Sequence, residues 1–299
     1  MLLDSAGLYF RAFYGVPDSI KGPNGQPNNA IRGFFDMLAR LVQTYEPSGL
    51  VACLDYDWRP AFRVAAIATY KAHRVAEGET EESPEELTPQ VPVIVAALRA
   101  LGICTVGAAG YEADDVIGTL ATVLPGGVDA VTGDRDLFQL VDDERNVRVL
   151  YTARGIGNLE IVTDEVLVSK YGVHGYQYVD FSVLRGDASD GLPGIAGIGE
   201  KTAATLINHY GDLGALREAA ALDDSDGPLK PRSRINLNEG ASYLDAAPTV
   251  VNVVRNIPLE VDPALPLECA DPVTLDEIAK TWGTRSSFER VAQALNLQY

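Results

Sequence analysis

Val128-Asp129-Ala130-Val131-Thr132-Gly133-Asp134 is a short apolar run that breaks at a glycine and ends on an acid. A run of this length bounded by a turn residue reads as a buried strand, and Asp134 stands just beyond its carboxyl end. Leu2-Leu3-Asp4 and Val51-Ala52-Cys53-Leu54-Asp55 repeat the form. Between these runs, Ala30 to Tyr45 and Val91 to Leu101 carry apolar residues at three- and four-residue spacing, the pattern of amphipathic helices. Strands alternating with helices predict an α/β fold with a mostly parallel twisted sheet flanked by helices. In such a sheet the carboxyl ends of the strands open on one crevice, so Asp4, Asp55 and Asp134 are expected to meet there. From about Asp164 onward the pattern shifts to short helices and turns, with a candidate strand near Ile257 to Val261 and helical spacing from Asp276 to Leu295. A boundary is expected at that shift, dividing 1–164 from 165–299.

Composition narrows the chemistry. The 299 residues, 46% of them hydrophobic, suffice for one large core with a satellite or for two modest domains. No stretch approaches the roughly 18 consecutive apolar residues of a membrane helix, and the chain opens on a strand rather than a signal peptide, so a soluble intracellular protein is expected. Cys53, Cys104 and Cys269 are widely spaced and set among apolar residues, which argues against a disulfide framework or a thiolate zinc site. His73, His174 and His209 form no closely spaced pair, so zinc hydrolase chemistry and a Ser-His-Asp triad lack support. Any hydrolytic chemistry must rest on carboxylates. The net charge of -18 counts against a general nucleic-acid binder, yet many acids fall in tight motifs while basic residues gather between Arg59 and Arg74.

Tyr111-Glu112-Ala113-Asp114-Asp115-Val116 places three acids in four positions, with Glu112 and Asp115 on one face of a helix start. Alone, it is equally an acidic first turn matched to the helix dipole. Thr132-Gly133-Asp134-Arg135-Asp136-Leu137 sets two acids just past a strand, which by itself also suits a turn and helix cap. Arg185-Gly186-Asp187-Ala188-Ser189-Asp190-Gly191 spaces two acids in a glycine-bounded turn, which loop solvation would also explain. With Asp4 and Asp55 these supply nine carboxylates for one crevice. Two bare carboxylates about 4 Å apart repel by roughly 4 kcal/mol at an effective dielectric near 20, so such a cluster needs protons or cations. All-oxygen ligands suit hard ions such as Mg2+ or Mn2+, and paired ions serve phosphoryl displacement.

Two further motifs suit a phosphate-bearing substrate. Gly191-Leu192-Pro193-Gly194-Ile195-Ala196-Gly197-Ile198-Gly199-Glu200-Lys201-Thr202-Ala203 opens an apolar helix with a Gly-Ile-Gly turn, whose free backbone N–H groups can bind phosphate beside Lys201. Arg59, Arg63, Lys71 and Arg74, interleaved with Phe62 and Tyr70, are either a solvated helix face or a cationic clamp in which Lys71 and Arg74 reach the scissile phosphate.

In combination these residues resemble the 5′ nucleases, a family that includes flap endonucleases and the 5′-to-3′ exonuclease domain of bacterial DNA polymerase I. The resemblance is carried by Asp4 with Arg11, Asp55, Phe62-Arg63, Tyr70-Lys71-Ala72-His73-Arg74, Gly110 to Asp115, Thr132 to Leu137, and Gly186 to Asp190 through Ala203. These follow in family order over about the first 210 residues. The resemblance implies a flap endonuclease and 5′-to-3′ exonuclease of DNA replication and repair. It implies a PIN-like core, a helical arch near 70–90 and a helix-hairpin-helix type element near 186–207 within a helical DNA-binding region. Two or more Mg2+ or Mn2+ ions are implied at Asp4, Asp55, Glu112, Asp114, Asp115, Asp134 and Asp136, with Asp187 and Asp190 completing a further site. Arg11, Lys71 and Arg74 are implied as catalytic. Arg63, Tyr70, Gly197, Gly199, Lys201 and Thr202 are implied to contact DNA, with K+ bridging the Gly197 to Thr202 turn and a phosphate. The implied partners are DNA with a 5′ flap, nick or 5′ end, RNA primer-DNA hybrids, and functional association with DNA polymerase I and ligase. The implied form is a cytoplasmic, nucleoid-associated monomer.

Two features depart from the family pattern. With Tyr299 as the last residue a stand-alone form without a polymerase domain is expected. The arch carries Glu77, Glu79, Glu81, Glu82, Glu85 and Glu86, read here as solvated padding, and both Ala76 to Pro89 and Asp223 to Gly240 read as exposed mobile segments. Three rivals remain. A haloacid-dehalogenase-like phosphatase needs a second acid where Ala6 stands, and a catalytically weak DNA-structure binder sits poorly with nine intact carboxylates. A PIN-type ribonuclease fits the core but not the second element.

Overall fold

The computed structural model describes residues 1–23, 25–76, 81–222 and 227–298. Leu2–Asp4 (β1), Val51–Cys53 (β2), Cys104–Val106 (β3), Val128–Thr132 (β4), Val147–Tyr151 (β5) and Glu160–Val162 (β6) form one sheet in the order β3-β2-β1-β4-β5-β6. The first five pair in parallel and β6 runs antiparallel at the edge. Side chains alternate across the sheet, with Leu2, Val51, Cys53, Ala130 and Val149 on one face and Leu3, Ala52, Val131 and Leu150 on the other, all of them buried. Burial on both faces is why these strands read as continuous apolar runs. β1 is flanked by β2 on one side and β4 on the other, so the switch point of the sheet lies at the carboxyl end of β1.

Helices cover both faces. In chain order they begin with Ser5–Gly15 (α1), Asn29–Tyr45 (α2), Ala61–Ala66 (α3), Gln90–Ala100 (α4), Ala113–Val123 (α5) and Asp164–Tyr171 (α6). Tyr178–Arg185 (α7), Glu200–Tyr210 (α8), Leu213–Ala221 (α9), Pro231–Glu239 (α10) and Ala241–Val251 (α11) build the helical region, followed by Pro272–Trp282 (α12) and Arg285–Ala294 (α13). Among the described residues no helix is long and apolar enough to cross a membrane.

Three expectations meet a different outcome. The candidate strand near Ile257 to Val261 joins no sheet, because Pro258 and Pro263 interrupt the row of donors a ladder needs. The expected helical arch is, among its described residues, a short 3-10 turn at Ala72–Arg74 and an isolated bridge from Val75 to Glu81. The segment that follows carries Pro84 and Pro89, leaves Glu82, Glu85 and Glu86 exposed and buries Leu87, so prolines and solvated acids leave a single apolar anchor where a helix needs a face. Glu77, Glu79 and residues 223–226 of the second polar stretch lie outside the described residues, and much of the remainder of that stretch is α10. Finally, α12 and α13, grouped by the expected boundary with the DNA-binding region, pack on α2 and α4 of the sheet layer. Phe288 meets Phe35 edge-on at 4.8 Å between ring centres, and Arg290 reaches Asp36 at 2.6 Å.

Phe288 is fully buried in that contact. Phe288→Ala is expected to cost about 3–5 kcal/mol of unfolding free energy, the range for emptying a buried aromatic site, read by urea denaturation. A cost under about 1 kcal/mol would mean that the last helix does not brace α2.

Candidate metal centre and nucleic-acid interface

Asp4 ends β1 and caps α1, accepting from the Gly7 N–H at 2.8 Å and from the Thr132 hydroxyl at 2.8 Å. A Cβ on residue 7 would stand 2.3 Å from Asp4 Oδ2, so glycine is required for the helix to approach the carboxylate. Burial, reinforced by the charges of Asp55 and Asp134, pushes the Asp4 carboxyl up to about 6. Asp55 follows β2 and accepts from the Ala113 N–H at 2.6 Å, and burial raises its carboxyl as well. Asp134 follows β4, and its Oδ1 accepts from the Asp136 N–H at 2.8 Å. The three strand-end acids therefore open on one cleft, as the alternation of strands and helices predicts.

The start of α5 separates the acids of the Glu112 to Asp115 motif by position. Glu112 and Asp114 line the cleft, whereas Asp115 turns away from it and is fully buried. Asp115 forms a capping box with Glu112 and takes both ends of the Arg63 guanidinium, at 2.8 and 2.6 Å. Arg63 also touches Glu112 and donates to the Val250 carbonyl at 3.0 Å. Arg63 and Tyr70 are each 2% exposed, so neither faces a DNA backbone as expected; Tyr70 donates its hydroxyl to Glu112 at 2.8 Å. The helical period that put Asp115 beside Glu112 is correct, but that face meets the protein interior. Lys71 touches the other oxygen of Glu112, and burial pushes the Glu112 carboxyl up to about 7 against the pull of Lys71 and Arg63. Asp114 is raised well above the ordinary range by burial and by Asp134, Asp4 and Glu112.

Of the remaining acids, Asp187 lines the cleft, while Asp136 and Asp190 lie behind its lining. Asp136 Oδ1 is buried with no hydrogen-bond partner, and burial with the charges of Asp134 and Asp190 raises its carboxyl strongly. Asp187 lines the cleft and accepts from the Ser189 N–H at 2.8 Å, while Asp190 faces Arg74 at 3.5 Å. Arg11, Lys71 and Arg74, the expected catalytic cations, all line the same cavity of about 1650 Å³. Trp58, Arg135 and Arg185 line it too, although the sequence assigned them no role. Both arginines lay inside quoted acid motifs, which was the available signal. Glu81 also faces the cavity, and burial with the charge of Asp55 raises its carboxyl, so the padding reading fails for this one glutamate.

Beside the cavity, the 195–199 turn leads into α8. Gly197 takes a φ of +77° that favours glycine, and nothing lies within 4 Å of a Cβ built at Gly199. No side chain caps α8, and Gly197, Gly199 and Lys201 are exposed, so first-turn N–H groups face outward. Glu200 ties this turn to the cleft through Arg135 and Arg185, each at 3.6 Å.

Among the described residues no three acidic, histidine or cysteine side chains close on a single point as a formed chelate. The donor set nevertheless fits hard divalent ions: every acid in or behind the cleft offers oxygen only, burial pushes Asp4, Asp55, Glu112, Asp114, Asp136 and Asp190 towards protonation, and one Asp136 oxygen is orphaned in the interior. In this arrangement Lys71 and Arg74 supply the countercharge.

Comparisons with known proteins bear on the family and the fold. Residues 1–172 match the family model of the 5′-3′ exonuclease N-terminal resolvase-like domain, and residues 173–272 that of the 5′-3′ exonuclease C-terminal SAM fold. A 5′-3′ exonuclease of Streptomyces coelicolor is 54% identical over 99% of both chains. In fold, the chain resembles T5 5′-exonuclease with bound zinc ions, with a TM-score of 0.64, 18% identity and coverage of 99% of this chain and 97% of that one. It also resembles the catalytic core of Rad2 in complex with a DNA substrate, with a TM-score of 0.60, 18% identity and coverage of 99% and 90%. The phosphatase alternative finds no support among these.

Removing Arg63 leaves Asp115 and part of Glu112 as uncompensated buried charge. Arg63→Met is expected to cost about 3–5 kcal/mol in urea denaturation, the range for one missing partner of a buried pair. A variant of unchanged stability that binds DNA more weakly would restore the DNA-contact role.

Proposed function

The chain belongs to the 5′-3′ exonuclease family, and we propose that it hydrolyses phosphodiester bonds of DNA at 5′ flaps, nicks and 5′ ends, using two or more Mg2+ or Mn2+ ions. The observation that carries this reading is a single cleft in which acids from three strand ends, one helix start and the 187–190 turn face Arg11, Lys71 and Arg74. Asp4, Asp55, Glu112, Asp114, Asp134 and Asp136 would hold the ions, with Asp187 and Asp190 at a further position. Ions so held supply an activated water at neutral pH and offset charge on the phosphate.

The protein's own groups bind and orient. Lys71 and Arg74 now contact Glu112 and Asp190, so each must exchange a carboxylate for a phosphate oxygen to steady the charge that grows there. Arg11 reaches the Ala153 carbonyl only at 3.5 Å and its Nε is buried without a partner, which leaves it poised to accept an anion. The open first turn of α8, with Gly197, Gly199, Lys201 and Thr202, grips duplex backbone without reading sequence, and the Gly197 to Thr202 turn would hold a K+ ion that offsets phosphate charge. The same reading takes RNA primer-DNA hybrids as further substrates, DNA polymerase I and ligase as functional partners, and a cytoplasmic monomer as the working form. The structural likeness to a Rad2 core bound to DNA substrate supports a DNA ligand.

Matched 5′-flap and 3′-flap DNAs labelled at either end, incubated with Mg2+, Mn2+ or chelator, test this. Metal-dependent cleavage of the 5′ flap, slowed at least about 100-fold by Asp134→Asn, is expected. Metal-independent binding without cleavage would instead make the protein a DNA-structure binder.

A further inference from the structure

The segment 250–255, the last two residues of α11 and the irregular backbone that follows them, is set against the back of the acid cluster. Buried backbone groups need partners, and here side chains of the sheet layer supply them. Arg63 donates to the Val250 carbonyl at 3.0 Å and the Asn252 carbonyl at 3.4 Å. Thr119 donates to the Val254 carbonyl at 3.2 Å, and the Ile257 N–H returns to the Thr119 hydroxyl at 3.3 Å. Val253 packs so close to α5 that a Cβ on Gly118 would lie 2.6 Å from its Cγ2.

Of two successive N–H groups of this strap, one goes to an acid motif and the other to a side chain that holds the second motif. The Val254 N–H donates to Asp115 at 2.8 Å, at the start of α5. The Val253 N–H donates to the Gln139 side-chain oxygen at 3.0 Å. The amide nitrogen of Gln139 then donates to the Val251 carbonyl at 2.9 Å and to the Asp136 carbonyl at 2.8 Å. Gln139 is buried, and its own carbonyl accepts from Arg255 at 2.9 Å. Only a side chain with both an amide donor and an acceptor can satisfy both strap positions and Asp136 at once. Two consecutive peptide units of the strap, with Gln139, therefore link the Glu112 to Asp115 turn to the Asp134 to Asp136 turn.

We propose that Gln139 is a positioning residue for the metal-holding acids, locking the 250–255 strap of the helical region as a spacer between the two acid motifs. The inference rests on the metal-holding role given to those acids above. Ligand groups hold an ion well only when what stands behind them is fixed, and loss of such support costs about 10- to 100-fold in affinity. Thr119 grips the same strap without touching an acid motif, so it separates anchoring from positioning.

Mn2+ binding to the full chain without DNA, followed by electron paramagnetic resonance beside thermal unfolding, tests this. Gln139→Met, similar in volume but without polar groups, is expected to bind Mn2+ about 10-fold more weakly, while Thr119→Val loses comparable thermal stability and stays within about twofold of the unsubstituted protein. Should Gln139→Met not fold, Gln139→Asn keeps the amide but is one methylene too short, and a loss of at least about threefold is expected. Affinity unchanged within about twofold in the folded Gln139 variant, or an equal loss in Thr119→Val, would overturn the proposal. No Mn2+ binding by the unsubstituted protein would overturn the metal reading itself and this inference with it.

Discussion

Carboxylates repel one another, and at about 4 Å apart in a partly desolvated cleft each pair costs roughly 4 kcal/mol unless a proton or cation intervenes. This protein gathers acids at the switch point of a parallel sheet, where Asp4, Asp55 and Asp134 follow neighbouring strands. Most of the unusual features of the structure answer that cost. Lys71 sits on Glu112, Arg74 faces Asp190, Arg63 is sealed inside against Asp115 and Glu112, and several carboxyls are pushed towards their protonated forms by burial. Divalent ions meet the same need with stronger charge and add the chemistry that phosphodiester hydrolysis requires.

The cations divide by depth. Arg63 is enclosed and bound to backbone carbonyls as well as to acids, so it belongs to the permanent framework. Lys71 and Arg74 stand at the edge of the cavity on a left-handed turn and a short 3-10 helix, a segment with few internal bonds to break. Substrate charge can therefore compete for them, whereas it cannot reach Arg63. The C-terminal half contributes from two sides: α8 opens an outward-facing helix start beside the cavity, and the strap after α11 braces the acids from behind.

The sheet, its acid-tipped strands and the convergence of the motifs were legible because buried strands and amphipathic helices leave periodic traces. The expected helices at Ala30 to Tyr45 and Val91 to Leu101 lie within a residue of α2 and α4. Three kinds of information were not local. Helical spacing put Asp115 on the Glu112 face but could not say that Arg63 waits there from another helix. Basic residues with interleaved aromatics resemble a solvated DNA-facing surface, yet Arg63 and Tyr70 turn inward because Glu112 and Asp115 outbid water for their donors. The roles of Gln139 and the 250–255 strap depend on contacts across more than a hundred residues, for which no short-range pattern exists. The return of α13 to α2 is hidden for the same reason.

The most direct measurement is a crystal structure of the chain soaked in Mn2+, with the ions located by anomalous scattering. At least two peaks are expected inside the cleft, ligated by oxygens from Asp4, Asp55, Glu112, Asp114, Asp134 or Asp136, with Lys71 drawn away from Glu112. Peaks only on the outer surface, with the Lys71–Glu112 contact intact at saturating Mn2+, would contradict the metal-holding role of these acids.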